Sequence, residues 1–235
     1  MIKLIGYRYP RAMPESPRLD EAVEFAENPE PRCPCILLLD VSGSMAGAPI
    51  DALNEGLQIF RDALNKDDLA KKRVDVAIVT FDSTAKVVQD FVTADRFQPP
   101  TLKVGGATYM GEGINKALDI LQVRKASYKA NAISSYRPWV FMITDGSPSD
   151  NEVVDLAAQR IRDEEIRKGV AFFGVGVEGV NMHRLSQILT ERPPMKLQGL
   201  NFAEMFQWLS VSMTGVSHSK LDEQVPLTRP GWGYV

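Results

Sequence analysis

The 235-residue chain has few of the features that mark several large protein classes. It contains two cysteines and two histidines, and its net charge is only −3. It therefore lacks the strong positive charge that binds nucleic acid or an anionic membrane surface. No apolar run approaches the roughly 20 residues that span a bilayer. The N-terminus lacks the apolar core and cleavage site of a signal peptide. We expect a cytoplasmic protein with neither nucleic acid nor a membrane as its partner.

The scarcity of cysteine and histidine also limits the chemistry. Cys33 and Cys35 stand one residue apart, a spacing that gives poor disulfide geometry in an extended segment. A structural zinc site needs four ligands, and no second cysteine pair exists. We predict two buried or half-buried thiols. His183 and His218 lie in no catalytic signature, and no Gly-x-Ser-x-Gly motif accompanies them, which argues against a serine hydrolase.

Proline content divides the chain into three parts. Residues 1–32 are a Pro-rich leader with one helix candidate, Leu19 to Glu27, through which Val23 and Phe25 could contact the body. Residues 33–216 carry the regular patterns of one large domain. Residues 217–235 form a tail without periodicity, in which Trp232 is expected either to pack back onto the domain or to dock on a partner.

Strand-like and helix-like patterns alternate within the domain. Helical stripes begin near Ile50, Met110, Val153 and Phe202, and Ser149 or Asp150 is the predicted N-cap of the third. The strand candidates are Ile36–Leu39, Val74–Phe81, Lys86–Phe91, Trp139–Thr144 and Val170–Val177. This alternation predicts an α/β fold: a doubly wound, mostly parallel sheet with helices on both faces. The polar segment Lys86–Phe91, after a short turn, is expected to be its one antiparallel edge strand.

Oxygen-bearing side chains stand at the predicted strand ends. Asp40 and Asp145 each end a buried strand, Ser42 and Ser44 follow the first, and Thr108 lies on a glycine-rich loop. The carboxyl ends of parallel strands meet at one edge of the sheet, so these residues are expected to converge. Such hard oxygen ligands suit Mg²⁺ or Mn²⁺. Because two carboxylates do not fill the ion's shell, a position is left for water or a partner's carboxylate. That favours adhesion over catalysis.

Two phosphate-related enzyme classes fit poorly. Haloacid-dehalogenase-type phosphatases need a second carboxylate two residues after the first, and Ser42 occupies that place here. The Gly105-Gly106 loop is too short for a phosphate-cradling loop and lacks its Gly-Lys-Ser/Thr ending. We therefore expect a protein that is not an enzyme. Met45, Tyr109 and Met110 are candidates for a binding rim, with Met110 equally compatible with the core.

The pattern Asp40-x-Ser42-x-Ser44, then Thr108 and Asp145-Gly146, resembles the metal-ion-dependent adhesion site of von Willebrand factor A (VWA) domains. The resemblance covers about residues 33–215. It implies a Mg²⁺ ion, with Mn²⁺ or Ca²⁺ as alternatives, held by both serines directly. Thr108, Asp40 and Asp145 would act directly or through water, and a partner's Asp or Glu would supply the last ligand.

Within this superfamily, the run Arg32–Asp40 and the ending Pro230–Gly233 look most like bacterial TerY-type proteins associated with tellurite resistance. That resemblance implies a cytoplasmic binding module for a stress-response or defence system, often encoded beside a phosphatase and a kinase-like protein.

An alternative is a scaffold regulated by phosphorylation of Ser42, Ser44 or Thr108, which would abolish metal binding. A metal-dependent phosphohydrolase is a third, less favoured hypothesis. Asp82 and Asp150 are predicted to cap a turn and a helix; the alternative is that they contact the metal's ligands without binding the ion themselves.

Overall fold

The computed structural model describes residues 19–234, with side chains described from residue 23 onward. Residues 1–18, which belong to the predicted leader, and Val235 lie outside the described residues. The strands are β1 (Cys33–Asp40), β2 (Val74–Phe81), β3 (Ala85–Thr93), β4 (Trp139–Thr144), β5 (Ala171–Gly176), β6 (Met195–Leu197) and β7 (Gly233–Tyr234). The helices are α1 (Leu19–Glu27), α2 (Ala48–Asn65), α3 (Ala70–Arg73), α4 (Met110–Ala130), α5 (Asn151–Ile166), α6 (Met182–Ile188) and α7 (Phe202–His218).

The strands form one twisted sheet in the order β3-β2-β1-β4-β5-β6-β7. The five central strands run parallel, and β3 is antiparallel to β2 at one edge, so the predicted fold class is confirmed. A second antiparallel pair, β6 with β7, closes the other edge and was not predicted. The order places β1 beside β4, with Leu39 opposite Ile143. The carboxyl ends of these two strands therefore lie next to each other.

Two apolar layers cover the sheet, because alternate residues of a strand point to opposite faces. Leu37 and Leu39 of β1 pack on one side, in a core shared with α2 and α7. Ile36 and Leu38 pack on the other side, against α4, α5 and α6. On the first side, Gly56 allows α2 to approach α7 closely, since a Cβ atom there would overlap the Phe206 ring.

The described part of the leader contacts the domain through two buried side chains. Helix α1 forms as predicted, and Phe25 is buried edge-on to Tyr128 and beside the guanidinium groups of Arg32 and Arg124. Arg32 is fully buried, whereas Val23 stays exposed. Some residues between Phe25 and Arg32 are exposed, namely Ala26, Glu27 and Pro29. The aromatic anchor Phe25 and the buried charge of Arg32 hold this segment on the body.

The C-terminal segment also packs against the domain. Helix α7 continues to His218, beyond the expected boundary, and β7 pairs with β6. Trp232 is buried and meets Trp208 of α7 edge-on, with ring centroids 5.6 Å apart. Of the two alternatives for Trp232, the structure shows packing back onto the domain.

Cys33 and Cys35 are both buried and unpaired, as predicted. Burial raises the pKa of the Cys35 thiol to about 12, so it stays protonated at neutral pH. Among residues 19–234, no helix combines the length and apolar character that crossing a bilayer requires.

Candidate metal centre

Asp40 stands where β1 ends, and its carboxylate is held from two directions. The backbone N–H of Ser42 donates to Asp40 Oδ1 at 2.9 Å, and the Thr144 hydroxyl donates to Asp40 Oδ2 at 2.6 Å. Thr144 is the last residue of β4, so this bond joins the two strand ends directly. Sequence reasoning missed Thr144, although a hydroxyl one residue before a strand-end aspartate was a usable signal. Asp40 is fully buried.

The two serines connect Asp40's loop to Asp145. Ser42 Oγ lies 3.0 Å from Ser44 Oγ, and the Ser44 hydroxyl donates to Asp145 Oδ1 at 2.8 Å. A single turn of 3₁₀-helix, Gly43–Met45, brings the serines to this position before α2 begins. Gly47, with φ of 81°, then provides the left-handed backbone that redirects the chain into α2. Ser42 is buried and Ser44 is exposed.

Thr108 reaches the same place on a loop bonded to the first turn. The Gly105 N–H donates to the carbonyl of Val41 at 2.9 Å, and the Gly43 N–H donates to the carbonyl of Gly106 at 3.1 Å. A Cβ atom on Gly146 would lie 3.1 Å from Thr108 Oγ1 and 3.7 Å from Asp40 Oδ2. The Thr108 and Asp40 oxygens therefore border the same glycine, immediately after Asp145. All five predicted residues converge at this edge of the sheet.

The centre concentrates negative charge without a cationic side chain. Burial raises the pKa of Asp40, and the nearby charge of Asp145 raises it further, against the opposing effect of its hydrogen bonds. Burial also raises the pKa of Asp145, whose residue is only 8% exposed. Among residues 23–234, no Lys, Arg or His forms an ion pair with either carboxylate. Buried charges in proteins are normally paired or bound to a metal. Within residues 23–234, hydrogen bonds donated by Ser42, Thr144 and Ser44, and no ion pair, offset the charge of these two carboxylates.

The donor set fits a hard divalent cation. In the described part of the chain, no group of three or more His, Cys, Asp or Glu side chains is arranged to hold a metal. A cation at this centre would therefore depend on hydroxyl oxygens as well as on the two carboxylates. Two carboxylates and three hydroxyls are the all-oxygen chemistry that Mg²⁺ and Mn²⁺ accept.

Some neighbouring residues have the role expected from the sequence, and others do not. Asp82 caps its own turn, accepting from the Thr84 N–H at 2.8 Å, as predicted. Asp150 also caps a helix, but its carboxylate bonds to the first turn of α4 and makes no side-chain bond at the start of α5. Met45 is fully buried, so its assignment to an exposed rim is wrong, and Met110 belongs to the core. Tyr109 remains at the surface, 37% exposed.

The von Willebrand factor type A domain family model matches residues 35–204, well over half of the chain. The chain belongs to this family. The matched region includes all five residues of the candidate centre, and it ends inside α7.

Three known proteins illustrate what this chain is similar to. The mouse (Mus musculus) collagen alpha-5(VI) chain is 24% identical over 157 residues, which cover 64% of this chain and 6% of the collagen. The pilus adhesin SpaC from Lactobacillus rhamnosus GG superposes with a TM-score of 0.62 at 13% identity, covering 79% of this chain and 31% of the adhesin.

The PilB minor pilin from Streptococcus sanguinis gives a TM-score of 0.55 at 14% identity, covering 80% of this VWA chain and 62% of the pilin. This chain thus spans less than two thirds of the length of each of these proteins. At such low identity the superpositions show a shared fold.

Proposed function

We propose that this VWA protein is a non-catalytic, Mg²⁺-dependent module that recruits a protein partner through a partner Asp or Glu. One observation carries the proposal: Asp40 and Asp145 are buried together, and within residues 23–234 no cationic side chain pairs with either of them. A divalent cation would compensate this charge, and the serine and threonine oxygens beside the carboxylates are suitable further ligands. SpaC, which shares this fold, is a pilus adhesin, and this supports a binding role.

Each residue has a distinct part in the proposed site. Asp40, Ser42 and Ser44 seat the ion, and Thr108 and Asp145 complete its set of protein ligands. When bound, the ion supplies a Lewis-acidic position that accepts an incoming carboxylate oxygen. Mn²⁺ and Ca²⁺ are alternatives, since both accept the same oxygen ligands.

Access to the ion is expected from the Ser44 side. Ser44 is exposed, whereas Ser42 and Thr108 are buried behind it. Tyr109, partly exposed beside Thr108, offers an aromatic surface for the protein that brings the carboxylate. The partner would thus contact the exposed end of the first turn and the Thr108 loop together.

The partner is proposed to be a cytoplasmic protein of a bacterial tellurite, stress-response or defence system. The resemblance of Arg32–Asp40 and Pro230–Gly233 to TerY-type proteins supports this setting. The same resemblance suggests a phosphatase and a kinase-like protein as candidates to test first. Neither nucleic acid nor a membrane is proposed as a partner, given the net charge of −3.

A pull-down with tagged protein tests this function. Wild type and Asp40→Ala are compared in Mg²⁺ and in EDTA, with the candidate phosphatase and kinase-like protein supplied in purified form. Retention only by wild type in Mg²⁺ supports metal-bridged recruitment. Retention in all four conditions would contradict it, because binding would then depend on neither the ion nor its ligand.

Phosphorylation remains a second candidate mechanism, and the structure restricts it. Of the three site hydroxyls, only that of Ser44 belongs to an exposed residue. A phosphate there would place added negative charge beside Asp145, whose Oδ1 accepts from Ser44 at 2.8 Å. Phosphosite mapping after incubation with the kinase-like protein tests this idea. Modification confined to residues outside the metal centre would count against it.

A further inference from the structure

Ser149 joins the Thr108 loop to the loop that carries Asp145. The Thr108 N–H donates to Ser149 Oγ at 3.3 Å, and the Ser149 N–H donates to the Thr108 carbonyl at 2.9 Å. These two bonds run in opposite directions between the same two residues. Together they fix the main chain of Thr108, whose side chain is a proposed ligand, against the segment between β4 and α5.

Asp150 strengthens the same junction from the next position. Its Oδ1 accepts from the Gly111 N–H at 3.2 Å and its Oδ2 from the Glu112 N–H at 3.0 Å. These N–H groups belong to the first turn of α4, where amides lack partners within their own helix. A carboxylate at this end also interacts favourably with the helix dipole. Asp150 thus fastens α4, which begins two residues after Thr108, to the start of α5.

Gly111 shows how closely the two helix starts approach. A Cβ atom there would lie 2.5 Å from the Val154 nitrogen and 2.9 Å from Asp150 Oδ2. Contacts this short to backbone do not occur for a real side chain. The position therefore requires glycine if α4 and α5 are to meet as they do. This close packing is independent of the hydrogen bonds of Ser149.

We infer that Ser149 and Asp150 are positioning residues of the metal centre. Ser149 follows Asp145 by only four positions, so bonding Thr108 to Ser149 limits the separation of two proposed ligands, Thr108 and Asp145. Asp150 then holds the first turn of α4 in place, and this restrains Thr108, which lies two residues before that helix. The inference rests on the proposed metal-dependent function and adds two residues outside the five-residue pattern. Loss of either contact is expected to lower Mg²⁺ affinity even though all five proposed ligand residues are retained.

The test measures Mg²⁺ affinity and metal-free thermal stability in the same full-length variants. Calorimetric titration with Mg²⁺ is compared for wild type, Ser149→Ala, Asp150→Ala and Asp150→Asn. We expect the two alanine variants to bind Mg²⁺ about tenfold more weakly, the lower end of the effect of losing groups that orient metal ligands. Asp150→Asn keeps one acceptor oxygen and should recover part of the affinity.

Asp67→Ala is the matched control. Asp67 Oδ1 accepts from the N–H groups of Leu69 and Ala70 at 3.0 and 2.7 Å, at a helix start that leads into the opposite end of β2. It should lower the unfolding temperature without changing Mg²⁺ affinity. If Asp150→Ala does not fold, Ser149→Ala and Asp150→Asn decide the question.

The possible failures are distinguishable. Wild-type affinity in Ser149→Ala and in every folded Asp150 variant overturns the positioning role and leaves the proposed function intact. Absence of Mg²⁺ binding by the wild type overturns the proposed function and this inference with it.

Discussion

Replacing Asp40 by Asn is expected to change stability in opposite directions with and without Mg²⁺. Asn keeps the shape of the side chain, so its Oδ1 can still accept from the Ser42 N–H. Its amide group can donate to the Thr144 hydroxyl, which then acts as the acceptor. The substitution therefore removes a buried charge that repels Asp145, and it keeps one hydrogen bond to Ser42 and one to Thr144.

In EDTA at pH 7, we expect Asp40→Asn to be more stable than wild type by about 1 kcal/mol, the lower end of the cost of a poorly compensated buried polar group. For a chain of this size, that corresponds to an unfolding temperature about 2–4 °C higher. With Mg²⁺ at a hundredfold excess over its Kd, wild type should gain about 2.7 kcal/mol. This is about 5–11 °C, and the variant should gain none of it. The order of the two proteins therefore reverses.

The pH dependence provides a second check. Because folding raises the pKa of Asp40, the folded protein holds this proton more tightly than the unfolded chain. Without metal, wild-type stability should fall as the pH rises from about 4, the unfolded value, through the raised folded pKa. Asp40→Asn lacks this effect. The difference between the two proteins should therefore vanish below about pH 4 and grow above it.

Differential scanning calorimetry in EDTA from about pH 3 to 8 and in Mg²⁺ at pH 7 measures both effects. Thr144→Val is the control, because it removes the 2.6 Å hydrogen bond and leaves the charge of Asp40 unchanged. It should lower stability in EDTA. A lower unfolding temperature for Asp40→Asn in EDTA, together with equal Mg²⁺ stabilisation of both proteins, would refute the reasoning about the buried charge pair.

Three further predictions concern packing and catalysis. Gly56→Ala should destabilise the protein by about 1–2 kcal/mol, since overlap with Phe206 outweighs the better helix propensity of alanine. An unchanged midpoint of urea denaturation would contradict the close approach of α2 and α7. Trp232→Ala should lower the free energy of unfolding by about 3 kcal/mol. Trp232→Phe should lower it much less, because the buried indole N–H has no hydrogen-bond partner to lose. Equal losses of stability for the two variants in urea denaturation would argue against this. Hydrolysis of p-nitrophenyl phosphate in Mg²⁺ should not exceed the Asp40→Ala background, and turnover above it would revive the phosphohydrolase hypothesis.

The long elements and the convergence of the five residues were predictable from sequence. All of the predicted strands except the polar Lys86–Phe91 are largely apolar, and all except Ile36–Leu39 have at least six residues. Runs of this length and character carry a strong strand pattern. Strand β6 has three residues and β7 has two, too few to show a period. Their pairing accompanies the packing of Trp232, the residue before β7, against Trp208 of α7, a contact between distant parts of the chain.

The details around the site were harder to predict for a related reason. Asp150 occupies the N-cap position of α5, so the local pattern favours a cap on its own helix. Its carboxylate instead bonds to α4, 39 residues away in sequence, because the two helix starts meet at Gly111. Likewise, Met45 follows an exposed serine but points into the core shared by α2 and α7. Such choices follow from tertiary packing.

The position of β7 as the last strand of the sheet affects how the domain should be produced. The family match ends at residue 204, three residues into α7. Protein produced only to that point would lack most of α7 and the whole of β7. It would expose Leu57 and Phe60 of α2, which pack in the core shared with α7. It would also leave β6 as an edge strand, without a partner on the side where β7 pairs. Aggregation of such a fragment would reflect its boundaries, and a soluble preparation should extend through residue 234.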